Sequence, residues 1–297
     1  MKGLLFIILA MGFFAVDSFL RAALVQSGIS AYKIVFYEYL FLGLFVFYQL
    51  FKSFRKFWQG QVSHLFYFFL VGGLGAAISS LCLSQAYSLL PNSLVWLLQK
   101  IQILFLLVAA HYFLQEKMSK IFLLFLAIAI VGMLLVLSAP LSQVEFTNWQ
   151  TLFGSAPLKG YVFLFISMFC WAISIVFSKK LSLAGFSEKE LMAGRYFFAL
   201  LILAPMFYSK VGDPILSSAE FTKILALSLV SGLLGMYFYY AGLKSLSVRV
   251  VSLSELFLPL WLVVISSIFL GDKITELQII GSTLIILSAT IVQWKKY

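Results

Sequence analysis

Ten apolar runs alternate with short polar breaks along the chain. They cover 3–25, 31–51, 63–87, 91–114, 118–139, 160–182, 188–209, 221–243, 247–270 and 274–294. Each run is continuous and about 20 residues long, the length an α-helix needs to cross the hydrocarbon core of a bilayer. Barrel strands would alternate and be about half as long. The pattern therefore predicts ten spanning helices. The breaks carry turn and charge signals. Ser27-Gly28 ends the first run, Lys52-Ser53-Phe54-Arg55-Lys56 the second, and Pro91-Asn92 opens the fourth, which Glu116-Lys117 closes. The longest break starts at Pro140 and contains Gly154 and Pro157. It divides the chain into a five-helix repeat over 1–140, a linker over 141–159 and a second five-helix repeat over 160–297.

Composition strengthens this reading. Of 297 residues, 63% are hydrophobic and 11% charged. A soluble domain could not hide that much apolar side chain, and a disordered chain would not carry it. The formal net charge of +10 would suggest nucleic acid in a soluble protein. Here the basic residues crowd into the breaks, where they act as topology signals. Thirteen Lys and Arg fall in one set of alternate breaks and the chain ends, and four in the other set. The bias puts both termini in the cytoplasm, the linker outside, and the protein in a cytoplasmic-type (inner) membrane. Nucleic acid is not an expected partner. The first run contains Asp17 and Arg21 and lacks a small-residue cleavage site, so it reads as a retained helix. Cys82 and Cys170 lie within apolar runs and make neither a disulfide framework nor a metal spacing. No cofactor is expected.

The halves repeat. Phe113-Leu114-Gln115-Glu116-Lys117-Met118-Ser119 has a counterpart 156 positions later in Phe269-Leu270-Gly271-Asp272-Lys273-Ile274-Thr275. Phe14-Ala15 is matched 157 positions later by Trp171-Ala172. Five spans per half is an odd number, so the second half sits inverted, a plan used by secondary transporters with a site near the midplane. The doubled Leu-x-(Glu/Asp)-Lys turn before a glycine-bearing last helix resembles the EamA-type branch of the drug/metabolite transporter superfamily. Glu255 followed by Leu258-Pro259-Leu260 resembles that branch's Glu-x-x-x-Pro helix, from which the first half departs with Gln99 and Ile103. The resemblance implies a transporter of small metabolites whose central cavity is lined by helices 1, 3, 4, 6, 8 and 9.

Ionisable groups inside spans are costly, and they face a cavity or one another. Asp17, Glu38, Lys100, Arg195 and Glu255 are the candidates for gating, coupling or binding. At about 1.5 Å per residue, Glu38 and Lys100 share an outer level, and Arg195 and Glu255 an inner one. Glu38 and Arg195 also match across the repeat. The expectation is two ion pairs, Glu38–Lys100 and Arg195–Glu255, each locking one side in alternating access; simple helix-packing pairs are the plainer reading. Asp17 lies four residues before Arg21, so a pair along one helix face accounts for it.

Most of the 32 Phe, 14 Tyr and 6 Trp must face lipid or fill packing. Trp96, Trp171, Trp261 and Tyr240 are the aromatic candidates for a pocket, with Tyr87 and Tyr239 beside them. Gln99 and Gln102 flank Lys100, and buried amides need partners. Gly72, Gly73, Gly75, Gly232 and Gly235 fall mid-helix in both halves, as packing or hinge sites. Pro259 is expected to kink its helix beside Glu255. There is no Walker loop, Gly-x-Ser-x-Gly elbow or His–carboxylate cluster, so an ATP-driven pump and an enzyme are not expected; an intramembrane enzyme is the weak alternative. The expected function is secondary transport of a small organic metabolite, with export of amino acids or related zwitterions as the leading reading. A cationic metabolite held by an aromatic cage is the alternative. A buried carboxylate such as Glu255 is the candidate proton carrier, facilitated exchange fits equally, and a monomer or homodimer fits the chain.

Overall fold

The computed structural model describes residues 2–59, 62–142, 154–210, 214–271 and 273–294. Ten helices among them are long and apolar enough to span a membrane. They are α1 (Lys2–Gln26), α2 (Ala31–Ser53, continuing as helix to Gln59), α3 (Val62–Leu89), α4 (Asn92–Leu114) and α5 (Lys120–Ser138). The second half supplies α6 (Ser155–Leu183), α7 (Glu188–Phe207), α8 (Ser218–Ser245), α9 (Val248–Phe269) and α10 (Glu276–Trp294). No strand occurs among the described residues. The break expected over 141–159 is narrower in the structure. Helix continues to Ser142 before it and resumes at Ser155, and 143–153 lie outside the described residues.

The halves pack as an inverted repeat. α1 lies against α8 and α9, and α6 lies against α3 and α4. α2 packs on α7, and α5 on α10. Exchanging the two halves maps this set of contacts onto itself, as a pseudo-two-fold axis requires. The α5–α10 pair is held at close range by glycines: a Cβ on Gly132 would sit 2.6 Å from the Gly281 carbonyl oxygen.

Backbone irregularities repeat as well. α1 and α6 both end in a left-handed glycine, Gly28 (φ 87°) and Gly185 (φ 89°). α4 and α9 both end in a left-handed residue, Gln115 (φ 58°) and Gly271 (φ 75°). This conformation exposes the last carbonyls of a helix to capping N–H groups. α3 widens into π-turns over Leu70–Ile78, and α8 does so over Ser228–Gly235. These stretches carry the mid-helix glycines, and the glycines let neighbours in: a Cβ on Gly72 would crowd the Arg195 carbonyl, and one on Gly232 would crowd Leu42.

α4 tightens into a 3₁₀ turn at Gln99–Ile101, and α9 is interrupted at Glu255 and Leu256 before helix resumes at Phe257. In α9 the cause is legible. Pro259 has no N–H to give to the Glu255 carbonyl, which instead accepts the Leu258 N–H at 3.1 Å. α4 makes the matching irregularity with Ile103 where α9 has Pro259.

Candidate functional site

A cavity of about 110 Å³ (the volume open to the centres of water molecules) lies between the halves. Eight helices wall it; α5 and α10 contribute no residue. α2 and α7 therefore join the six helices expected from the resemblance. Asp17 and Arg21 come from α1, Glu38 and Tyr39 from α2, and Ser79 and Ser80 from α3. α4 supplies Gln99 and Lys100 from its 3₁₀ turn and Gln102 just after it, and α9 supplies Glu255 from its interruption. Trp171, Arg195 and Ser231 enter from α6, α7 and α8. Apolar surface comes from Met11, Phe14, Leu83 and Leu258.

The charges do not pair as the sequence suggests. Neither Glu38–Lys100 nor Arg195–Glu255 forms an ion pair. Arg21 takes Glu38 instead. Its guanidinium reaches Asp17 through two nitrogens at 3.1 and 2.9 Å, Glu38 at 2.9 Å, and the Ser84 hydroxyl at 3.3 Å. A planar fork with five donors can serve two carboxylates at once. The Asp17–Arg21 pair along α1 is present, and Glu38 completes it as a triad. Asp17 also accepts the Ser231 hydroxyl of α8 at 2.7 Å, tying the triad to the other half.

Arg195 finds neutral partners. It donates to the Gly75 carbonyl at 2.7 Å, the Ser174 hydroxyl at 3.0 Å and the Val71 carbonyl at 3.4 Å. The face of Trp171 covers its guanidinium at 4.9 Å. Two of these acceptors lie in the π-turns of α3. The neighbouring Tyr196 hydroxyl donates to the Gly232 carbonyl in the π-turns of α8. Adjacent residues of α7 thus stitch the widened stretches of both halves. Glu255 accepts the Tyr239 hydroxyl at 2.7 Å and the Gln102 amide at 3.0 Å. Lys100 interacts electrostatically with Glu255 but makes no ion pair within 4.0 Å among the described residues.

Five of the aromatic residues expected at the pocket lie outside the cavity wall: Trp96, Tyr240 and Trp261, and with them Tyr87 and Tyr239. Trp96 packs edge-on against Phe19, with ring centres 5.3 Å apart. The Tyr240 hydroxyl meets Ser178 at 3.4 Å. Trp261 donates its indole N–H to the Ile8 carbonyl at 2.9 Å and covers Gly12, so it fastens α9 to α1. Depth in the sequence identified them, but depth does not give the direction a side chain takes around its helix. Reasoning from sequence missed Arg21, Tyr39, Ser79, Ser80 and Ser231 as wall residues. Arg21 alone gave a usable signal, being a charge inside a span.

The loop of α4–α5 reaches the other half. The Glu116 carboxylate accepts the Val248 and Arg249 N–H groups at the start of α9, at 2.8 and 3.0 Å. A carboxylate at a helix N-terminus satisfies orphan donors and the dipole together. The turn of the first half thus ties α4 to the start of α9 in the second.

Comparison with known proteins agrees with this architecture. A solved crystal structure superposes with a TM-score of 0.71 at 14% identity, covering 97% of this chain and 96% of that one. In sequence the chain is similar to the riboflavin transporter ImpX of Fusobacterium nucleatum subsp. nucleatum, with 26% identity over 77% of this chain and 76% of that protein. It is also similar to an uncharacterized transporter of Clostridium kluyveri, with 25% identity over 98% of this chain and 92% of that one. The EamA-like transporter family matches residues 1–138 and 158–294. Ten spans in two inverted halves, a polar cavity between them and a family match across both halves agree: the chain belongs to the EamA-like transporter family.

Proposed function

We propose that the chain moves a small, flat, polar and net-neutral metabolite by alternating access through the central cavity, with riboflavin as the first candidate. One observation carries the reading. The wall holds three carboxylates (Asp17, Glu38, Glu255) and three cations (Arg21, Lys100, Arg195), so its formal charge is zero. A neutral substrate enters such a site without leaving an uncompensated charge inside the membrane. Trp171 and Phe14 offer aromatic surface, edge to face with centres 6.2 Å apart, and the Gln99 amide and Lys100 ammonium suit a ring with carbonyls. Similarity to a riboflavin transporter supports the same class.

A second reading is a zwitterion such as an amino acid. It is favoured by Lys100 and Glu255, two opposite charges of the wall without ion pairs among the described residues. A cationic substrate is less well supported, because Arg21 already engages two of the three carboxylates. The distribution of basic residues supports cytoplasmic termini in an inner membrane.

Counterflow in proteoliposomes tests the reading. Vesicles preloaded with unlabelled riboflavin should accumulate labelled riboflavin transiently, and empty vesicles should not. Counterflow with neutral amino acids in place of riboflavin would transfer the site to the second reading. Repeating the assay across an imposed pH gradient separates proton-coupled transport from facilitated exchange.

A further inference from the structure

Nearly every polar side chain in the cavity wall is already engaged. Asp17, Arg21, Glu38 and Ser231 hold one another. Tyr39 holds Ser80 at 3.0 Å, and Ser79 holds Ser167 at 3.1 Å. Gln102 serves Glu255, and Arg195 serves Ser174 and the π-turn carbonyls. Ser18 and Tyr196 donate to backbone carbonyls. The Trp171 indole faces Glu255, and two heads remain without a hydrogen bond or ion pair among the described residues: the Gln99 amide and the Lys100 ammonium. They are consecutive, both line the cavity, and both sit on the 3₁₀ turn. Both side chains are partly exposed, and both line the cavity, so their heads are free to meet a ligand there.

We propose that the Gln99–Lys100 turn recognises a cyclic imide edge, the –CO–NH–CO– group of a flavin or pyrimidinedione ring; this rests on the transport reading above. The match is one of donors and acceptors. An amide offers one acceptor and two donors, and an ammonium offers donors alone. The Gln99 carbonyl accepts the imide N–H, while the Gln99 NH₂ and the Lys100 ammonium donate to the flanking carbonyls. A carboxylate would satisfy Lys100 and leave the Gln99 carbonyl empty. A phosphate ester would add negative charge to a wall already balanced. The 3₁₀ turn also supports the arrangement, because residues three apart eclipse in it. Gln99 thus lines up with Gln102, which Glu255 holds. The other half has no second copy of this element: Glu255 and Leu256 occupy the matching positions.

Binding to the purified full-length protein, read by quenching of flavin fluorescence, tests it. The ligands are riboflavin and N3-methylriboflavin, which keeps the ring and tail but loses the imide donor. The unmodified protein should bind the methylated flavin at least about tenfold more weakly, since a site built to hydrogen-bond a group rejects the analogue lacking it. Gln99→Leu should weaken riboflavin by about tenfold and remove most of the difference between the two flavins. Lys100→Met should weaken both by a similar factor. Equal binding of the two flavins by the unmodified protein would overturn the imide assignment and leave riboflavin transport standing. Binding of neither flavin would overturn the riboflavin reading and this inference with it. The ligand comparison needs no variant, so a misfolded variant cannot obscure the result.

Discussion

Arg21 is the residue whose loss the structure predicts most sharply. Its guanidinium neutralises two carboxylates that are themselves secluded: the side chains of Arg21, Asp17 and Glu38 are 4%, 14% and 4% exposed. Arg21→Met keeps most of the volume and removes the charge. Asp17 retains the Ser231 hydroxyl, whereas Glu38 loses its ion-pair partner. Breaking a buried pair by removing one partner costs about 3–5 kcal/mol, because a charge is left uncompensated. In a chain of this size each kcal/mol moves the midpoint by roughly 2 °C, so the variant should unfold about 6–10 °C lower in detergent. Adding Glu38→Gln removes the stranded charge, and the double variant should recover about half of that loss. Thermal unfolding of the four proteins forms a double-mutant cycle. A single variant within about 2 °C of the parent, or a double variant below the single one, would refute the triad as an energetic unit.

Three further perturbations probe separate parts of the fold. Gln115→Gly relieves the one left-handed non-glycine residue among those described and should stabilise by about 1 kcal/mol, seen as a small rise in the unfolding midpoint. Gly132→Leu forces side-chain atoms against the Gly281 carbonyl and should lower the midpoint, while flavin affinity per folded molecule stays unchanged because α5 and α10 do not reach the cavity. Trp261→Phe keeps a ring over Gly12 but removes the indole N–H that the Ile8 carbonyl accepts across the helices. It should destabilise by about 1 kcal/mol, and an unchanged midpoint would show that the bond carries no net stability.

The ten spans and their inverted pairing were legible because hydropathy and loop charge act over whole segments, where single-residue errors average out. The interruption of α9 was legible too, since Pro259 announces a missing donor four residues after Glu255. The 3₁₀ turn of α4 was not, because Gln99-Lys100-Ile101-Gln102 contains no helix breaker. The expected ion pairs failed for a related reason. Matching depth put Glu38 level with Lys100, but Arg21, one span away in sequence, approaches Glu38 from α1. Sequence gives height along the membrane normal, and ion pairing also needs the angle around each helix. Trp96 and Trp261 were displaced from the pocket by that same missing coordinate.

The backbone of the cavity is nearly symmetric, with its π-turns, interruptions and left-handed ends recurring in both halves, yet its chemistry is not. A triad of two carboxylates and an arginine stands on one side of the pseudo-axis, and an arginine held by carbonyls stands in the matching place. A passenger resting there cannot show the same face to both halves, so under the proposed alternating access no symmetry requires the inward- and outward-facing forms to hold it with equal strength. In a passive carrier the ratio Vmax/KM stays equal for the two directions, as equilibrium demands, while Vmax and KM are each free to differ. Half-saturation measured from opposite faces of the membrane would thus read out, in kinetic form, how far the two halves have diverged.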